Sequence, residues 1–161
     1  MVKEGCMKGV DEVYGFHNIP NFDEGDIRVC EGGFFAAVTV VKIRVIGQGG
    51  HGSTPYKLTD CISGANAIYQ SLHTIKSRNI DSRQNFAFTI CKINAGTTHN
   101  VFPDVAEMEG TIRTYDEDTR KRICERISRI AKEVGSAMEC KVEVTLDYLY
   151  PAVMNHATET Q

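Results

Sequence analysis

Between Val38 and Leu149 the apolar residues keep two different periods, and the order of those periods restricts the fold more than anything else in the chain. Val41, Ile43 and Val45 alternate with Lys42 and Arg44, the two-residue period of a strand with one buried face. Ile62, Ala65, Ile68, Tyr69, Leu72 and Ile75 then recur at three- and four-residue spacing, which predicts a helix with Asp60 as its cap. Phe86, Phe88 and Ile90 return to alternation. The stretch "NAGTTHNVFPD" is predicted to be a loop, and Ala106, Met108 and Ile112 then form a third strand whose polar face carries Glu107, Glu109, Thr111 and Arg113. A second helix is predicted from Asp116, with Ile123, Cys124, Ile127, Ile130, Ala131 and Val134 on one stripe and Gly135 as its stop. Val142, Val144 and Leu146 make the last strand. The order β-α-β-β-α-β predicts an α+β fold of split-βαβ topology, an antiparallel sheet with two helices on one face.

At 161 residues, 42% hydrophobic and 24% charged, the chain has material for one packed core with pieces of something else beside it. Residues 1–37 are turn-rich and read as part of a larger unit. A formal charge of -3 and a pI near 5.9 give no basic footprint, so neither nucleic acid nor an anionic membrane is expected as a partner. No two of the six cysteines have metal-knuckle or redox spacing. Cys61, Cys91 and Cys124 stand where small apolar residues would serve, which predicts packed, reduced thiols and a cytoplasmic protein. No stretch approaches the ~20 apolar residues of a membrane span. The run "DEDTRKRICER" predicts an exposed helix face with pairs such as Lys121 and Glu125.

Four residues stand out for chemistry. His51 lies in "GQGGHGSTP", an imidazole on a loop of glycines, either presented to a ligand or part of a plain tight turn. His17, in "YGFHNIP", is a metal-ligand type, but one histidine makes no site and a structural role competes. Asn100, in the "INAGTTHNVFPD" loop, and Arg113, in "EGTIR", together offer an amide and a guanidinium fork suited to a carboxylate. The competing reading of Arg113 is an ion pair with Glu107 or Glu109.

Taken together, "GVDEVYGFHNIP", "GQGGHGSTP", "INAGTTHNVFPD" and "EGTIRTYD", in this order and at this spacing, resemble the metal-dependent amidohydrolases that include aminoacylase, hippurate hydrolase and the indoleacetyl-amino-acid hydrolases, within the dinuclear zinc exopeptidase superfamily. The resemblance runs from about Met1 to about Tyr150. It implies a ferredoxin-like lid or dimerisation domain over residues 38–149, flanked by partial segments of an α/β catalytic domain at 1–37 and 150–161. It further implies that His17 is a metal ligand, that His51 stabilises the oxyanion of the scissile carbonyl in a partner subunit, and that Asn100 and Arg113 bind substrate. The implied cofactors are two divalent metal ions, zinc or manganese, and the implied partners are an N-acyl amino acid or peptide-like substrate and a second copy of the chain.

The departures from that pattern shape the expectation. An upstream Asp-Gly-His or Asp-Gly-Cys-type ligand segment, a paired-glutamate stretch and a C-terminal histidine ligand have no counterpart, and Glu4, Glu12 and Glu24 sit in no such motif. The chain is therefore expected to be a fragment that neither retains metal nor hydrolyses substrate by itself. The alternative is a stand-alone ferredoxin-like dimerisation or binding module without catalysis.

Overall fold

The computed structural model describes residues 2–160. In chain order its elements are β1 (Gly32–Phe35), β2 (Ala37–Ile46), β3 (Gly50–His51), α1 (Cys61–Leu72), α2 (Thr74–Arg78), β4 (Phe86–Ala95), β5 (Val101–Phe102), β6 (Val105–Thr114), α3 (Glu117–Ala137), β7 (Lys141–Tyr150) and β8 (Val153–Asn155). The main sheet has the order β4-β6-β2-β7, and every neighbouring pair is antiparallel. With α1 joining β2 to β4 and α3 joining β6 to β7, this is the split-βαβ topology that the alternating periods predict.

The core lies between one face of this sheet and the two long helices. Val41, Ile43 and Val45 of β2 and Met108 and Ile112 of β6 meet Ile68 and Leu72 of α1 and Ile123 and Ile127 of α3, all essentially without solvent contact. Each such side chain taken out of water contributes roughly 1.5–3 kcal/mol. The opposite face carries cross-strand ion pairs: Lys42 with Asp147 at 2.8 Å, Lys92 with Glu109 at 2.7 Å, and Arg44 with both Glu107 and Glu143. These pairs are about half exposed and screened, so the apolar face holds the layers together while the charges fix which residue stands opposite which.

Both caps predicted from sequence are present. The Asp60 carboxylate accepts from the Ile62 and Ser63 amides, and that of Asp116 from the Thr119 amide at 2.7 Å; the Thr119 hydroxyl first and its amide second hold the Asp116 carboxyl below its usual range. Several other expectations are corrected. Helix α3 runs past Gly135 to Ala137, and the left-handed residue that ends it is Glu139, at φ 58°. The Cys140 amide returns to the Gly135 carbonyl and that of Glu139 to Ser136, a Schellman closure. Gly135 serves packing instead, since a Cβ there would run into Val142. Cys91 is exposed on the edge strand β4, and the third buried thiol is Cys140. Lys121 sits 3.9 Å from Asp118, one turn back, and not beside Glu125.

Arg120 departs furthest from the predicted solvated face, being only 4% exposed. Its Nε donates to the Thr39 hydroxyl and one Nη to the Val38 carbonyl, both at 2.8 Å, while the other Nη reaches Glu117 at 3.3 Å. Val38 and Thr39 mark the place where the β2–β7 register shifts by a residue, so the guanidinium fork ties α3 to an irregular stretch of the ladder. Arg120→Met strands both acceptors, and urea unfolding is expected to show a loss of about 2–4 kcal/mol. The exposed neighbour Arg122→Met is the control, expected to stay within about 0.5 kcal/mol of the wild type. Equal losses in the two variants would remove this role from Arg120.

Candidate functional site

The glycine loop begins where β2 ends, and three chain segments converge on it. The Gly47 amide donates to the Asp104 carbonyl at 2.9 Å, the Gly49 amide to the Asp104 carboxylate at 2.8 Å, and Gln48 and Thr59 exchange backbone bonds. Gly50 and His51, as β3, then pair with Phe102 and Val101 of β5, and the Gly52 amide donates to the Asn100 carbonyl at 2.9 Å. A Cβ at Gly47 would collide with the Thr59 carbonyl oxygen, and one at Gly49 with that of Phe102. The glycines are there because backbone packs on backbone. Burial pushes the Cys61 thiol up, so it stays protonated and donates to the Pro103 carbonyl at 3.2 Å, fastening the far leg of the same loop.

On this support His51 is exposed but held. Its carbonyl accepts from both the amide and the hydroxyl of Thr54, and its Nδ1 lies 3.2 Å from the Ser53 amide nitrogen and 2.8 Å from the Ser53 hydroxyl oxygen. An amide can only donate, so Nδ1 is the acceptor and the ring proton sits on Nε2. That N–H has no protein partner among the described residues. Asn100 lies one residue before Val101, which stands opposite His51, and among the described residues its side chain hydrogen-bonds only to Thr98, at 3.4 Å. The structure thus brings His51 and Asn100 together. Sequence reasoning missed Ser53 and Asp104; their only advance signals are a hydroxyl two positions after the histidine and an acid just before a strand.

Arg113 and His17 lie at the other end of the sheet. Arg113 stands opposite Val38 and Ala87 and lines a cleft of about 290 Å³ with Ala36, Asn85, Phe86 and Tyr115. The competing ion-pair reading does not hold: Glu107 is taken by Arg44 and Glu109 by Lys92, and Arg113 pairs with no carboxylate among the described residues. Close by, β1 pairs with β8, so the entering and leaving segments of the chain run side by side. The His17 ring lies 5.1 Å from that of Phe35, the last residue of β1. Its Nδ1 is 2.7 Å from the Asn18 carbonyl oxygen, which can only accept. Nδ1 therefore carries the proton and Nε2 keeps its lone pair, the form a metal ligand needs.

The two ends are far apart. From Val105, beside the loop, to Arg113 is eight positions of unbroken strand, about 27 Å at the ~3.4 Å rise of an antiparallel ladder. Among the described residues no three or more His, Cys, Asp or Glu side chains gather as a metal site. His17 by itself does not make one, so the residues present do not fit a metal centre. Among the same residues no helix is long and apolar enough to cross a membrane.

Residues 38–139 match the peptidase dimerisation domain of the M20 type. The chain is 36% identical over 158 residues to an N-acetylcysteine deacetylase of Bacillus subtilis, a match covering 98% of the chain and 42% of that enzyme. It is 36% identical over 156 residues to an N-acyl-L-amino acid amidohydrolase of Geobacillus stearothermophilus, covering 97% and 42%. A crystal structure of a dinuclear metal-binding M20 peptidase from Bacillus subtilis superposes with a TM-score of 0.74 at 29% identity, covering 99% of this chain and 39% of that one. The chain spans about two fifths of the length of these proteins. The chain belongs to the M20 peptidase family, and residues 38–139 are its dimerisation domain.

Proposed function

We propose that this chain is the lid and dimerisation portion of a longer, cytoplasmic, metal-dependent amidohydrolase that cleaves N-acyl amino acids or peptide-like substrates as a homodimer. In this reading residues 1–37 and 150–161 belong to the catalytic domain, and His17 contributes one ligand to a pair of zinc or manganese ions whose other ligands lie elsewhere in the whole protein. The observation that carries it is the separation of the two ends: His17 and Arg113 share one, His51 and Asn100 the other, about 27 Å away along β6. One subunit cannot bring all four to one substrate. Two subunits can, if each lends its glycine loop to the other.

Each end then has a definite task. The Nε2–H of His51 is a fixed donor for the oxyanion that develops when an amide carbonyl becomes tetrahedral, with Asn100 beside it as a second polar contact. Arg113, unpaired in its cleft, is a receptor for the substrate carboxylate in the subunit that owns the cleft. The stand-alone module is the weaker alternative, because Tyr14, Phe16, Ile27 and Val29 are 66–86% exposed in the segment before β1, an apolar surface suited to a catalytic domain packed against it.

In the full-length, metal-loaded enzyme, His51→Ala is expected to lower kcat by about 10²–10³ with metal content and KM little changed. Full turnover in that variant would exclude the oxyanion role. Arg113→Ala is expected to raise KM at least about tenfold for substrates with a free carboxylate and to leave carboxamide analogues unaffected. An equal change for both substrate types would point to a structural role instead.

A further inference from the structure

We infer that Ser53 is a positioning residue for the proposed hydrolysis, holding the His51 ring in a single tautomer and a single orientation so that its Nε2–H is ready as the oxyanion donor; this rests on the oxyanion reading of His51. A free imidazole can carry its proton on either nitrogen and can turn over about its bond to Cβ. Only one of those arrangements combines an Nε2–H with Nδ1 facing Ser53. In the loop, Nδ1 faces two donors from one residue, the Ser53 amide at 3.2 Å and the Ser53 hydroxyl at 2.8 Å. Were Nδ1 protonated, it would point a hydrogen at an amide hydrogen. Were the ring turned over, Nδ1 would lose both partners.

The backbone beneath Ser53 is fixed independently of its hydroxyl. The Gly52 amide is bonded to Asn100 and the Thr54 amide and hydroxyl to the His51 carbonyl, so the turn from His51 to Thr54 closes without help from the Ser53 side chain. Ser53 is itself exposed, and its hydroxyl bonds only to the His51 ring among the described residues. A hydroxyl that neither packs in the core nor closes the turn, yet meets the proposed donor ring on the nitrogen away from substrate, acts through that ring. This is the relation of a carbonyl or carboxylate to a metal-bound histidine with the sense reversed: Ser53 supplies hydrogens to Nδ1, whereas the Asn18 carbonyl accepts one from His17 and leaves Nε2 with a lone pair.

The test has two arms. In the first, the chain with ¹⁵N-labelled histidine is studied by NMR, where the coupling of ring carbon-bound protons to the two nitrogens reports the tautomer. The wild type is expected to show His51 protonated on Nε2 alone, and Ser53→Ala to show a mixture of tautomers or ring exchange. A proton on Nδ1 in the wild type, or an identical pattern in Ser53→Ala, overturns the inference. In the second, full-length metal-loaded enzyme is assayed. Ser53→Ala is expected to lower kcat about tenfold with KM unchanged, the scale of one lost hydrogen bond. Ser53→Thr, which keeps the hydroxyl, is expected to restore most of the rate, and Ser53→Ala is expected to cost nothing further in a His51→Ala background. An unchanged kcat in Ser53→Ala, or an undiminished loss without His51, overturns the positioning role. Full turnover in His51→Ala alone would instead remove the oxyanion reading, leaving the NMR arm to decide whether Ser53 holds the ring.

Discussion

The stiffness of β2 governs what this chain can do. Its ten residues are bonded along almost their whole length to β6 on one side and to β7 on the other, so it has little freedom to bend. Its start is one residue from β1 and the segment bearing His17, and its end opens directly into the glycine loop bearing His51. Whatever the two ends bind, β2 keeps them a strand's length apart. The side chains facing α1 and α3 make that separation rigid, because tilting the strand would open the core that Ile43, Met108, Ile68 and Ile127 close.

The two histidines show how local backbone chemistry assigns different work to the same side chain. Both are exposed, and both have Nδ1 in a hydrogen bond with a residue one or two positions later in sequence. One partner is a carbonyl and the other an amide with a hydroxyl. The first leaves Nε2 as a base, suited to a metal, and the second leaves it as an acid, suited to a developing negative charge. Asp104 matters at the same level. Its carbonyl and carboxylate fix Gly47 and Gly49, so the loop that carries His51 is anchored to the first turn of chain leading into β6 and moves with the sheet.

Much of the fold was legible in the sequence because its strongest signals are local. Alternation at Val41, Ile43 and Val45, the caps at Asp60 and Asp116, and the apolar stripe from Ile123 to Ala131 each depend on neighbours within a few residues. Most of the errors are long-range, the local exceptions being the partner of Lys121 and the end of α3. Pairing of β1 with β8 joins Gly33 to Met154, and stretches of four and three residues, GGFF and VMN, are too short for an alternation to reveal it. The β3–β5 pairing was hidden in the same way, inside what read as two loops. Arg120 lies in a charged run and looks solvated until the shifted register at Val38 supplies two acceptors for it. Gly135 looked like a helix stop because glycine usually is one, but the space it leaves belongs to Val142. For the candidate site, the four residues were visible as motifs, while their division between two ends appears only when strand register is known.

In the proposed homodimer one subunit's His51 serves the other subunit's His17 and Arg113. Subunit exchange between full-length His17→Ala and His51→Ala homodimers tests it most directly. Random exchange makes half of the dimers mixed, and each mixed dimer holds one intact site of two, so activity is expected to rise from near zero to about one quarter of the wild type. If His51 acted within its own subunit, both sites of every mixed dimer would carry a lesion. Confirmed exchange with no recovery of activity would mean that His51 does not serve the partner subunit.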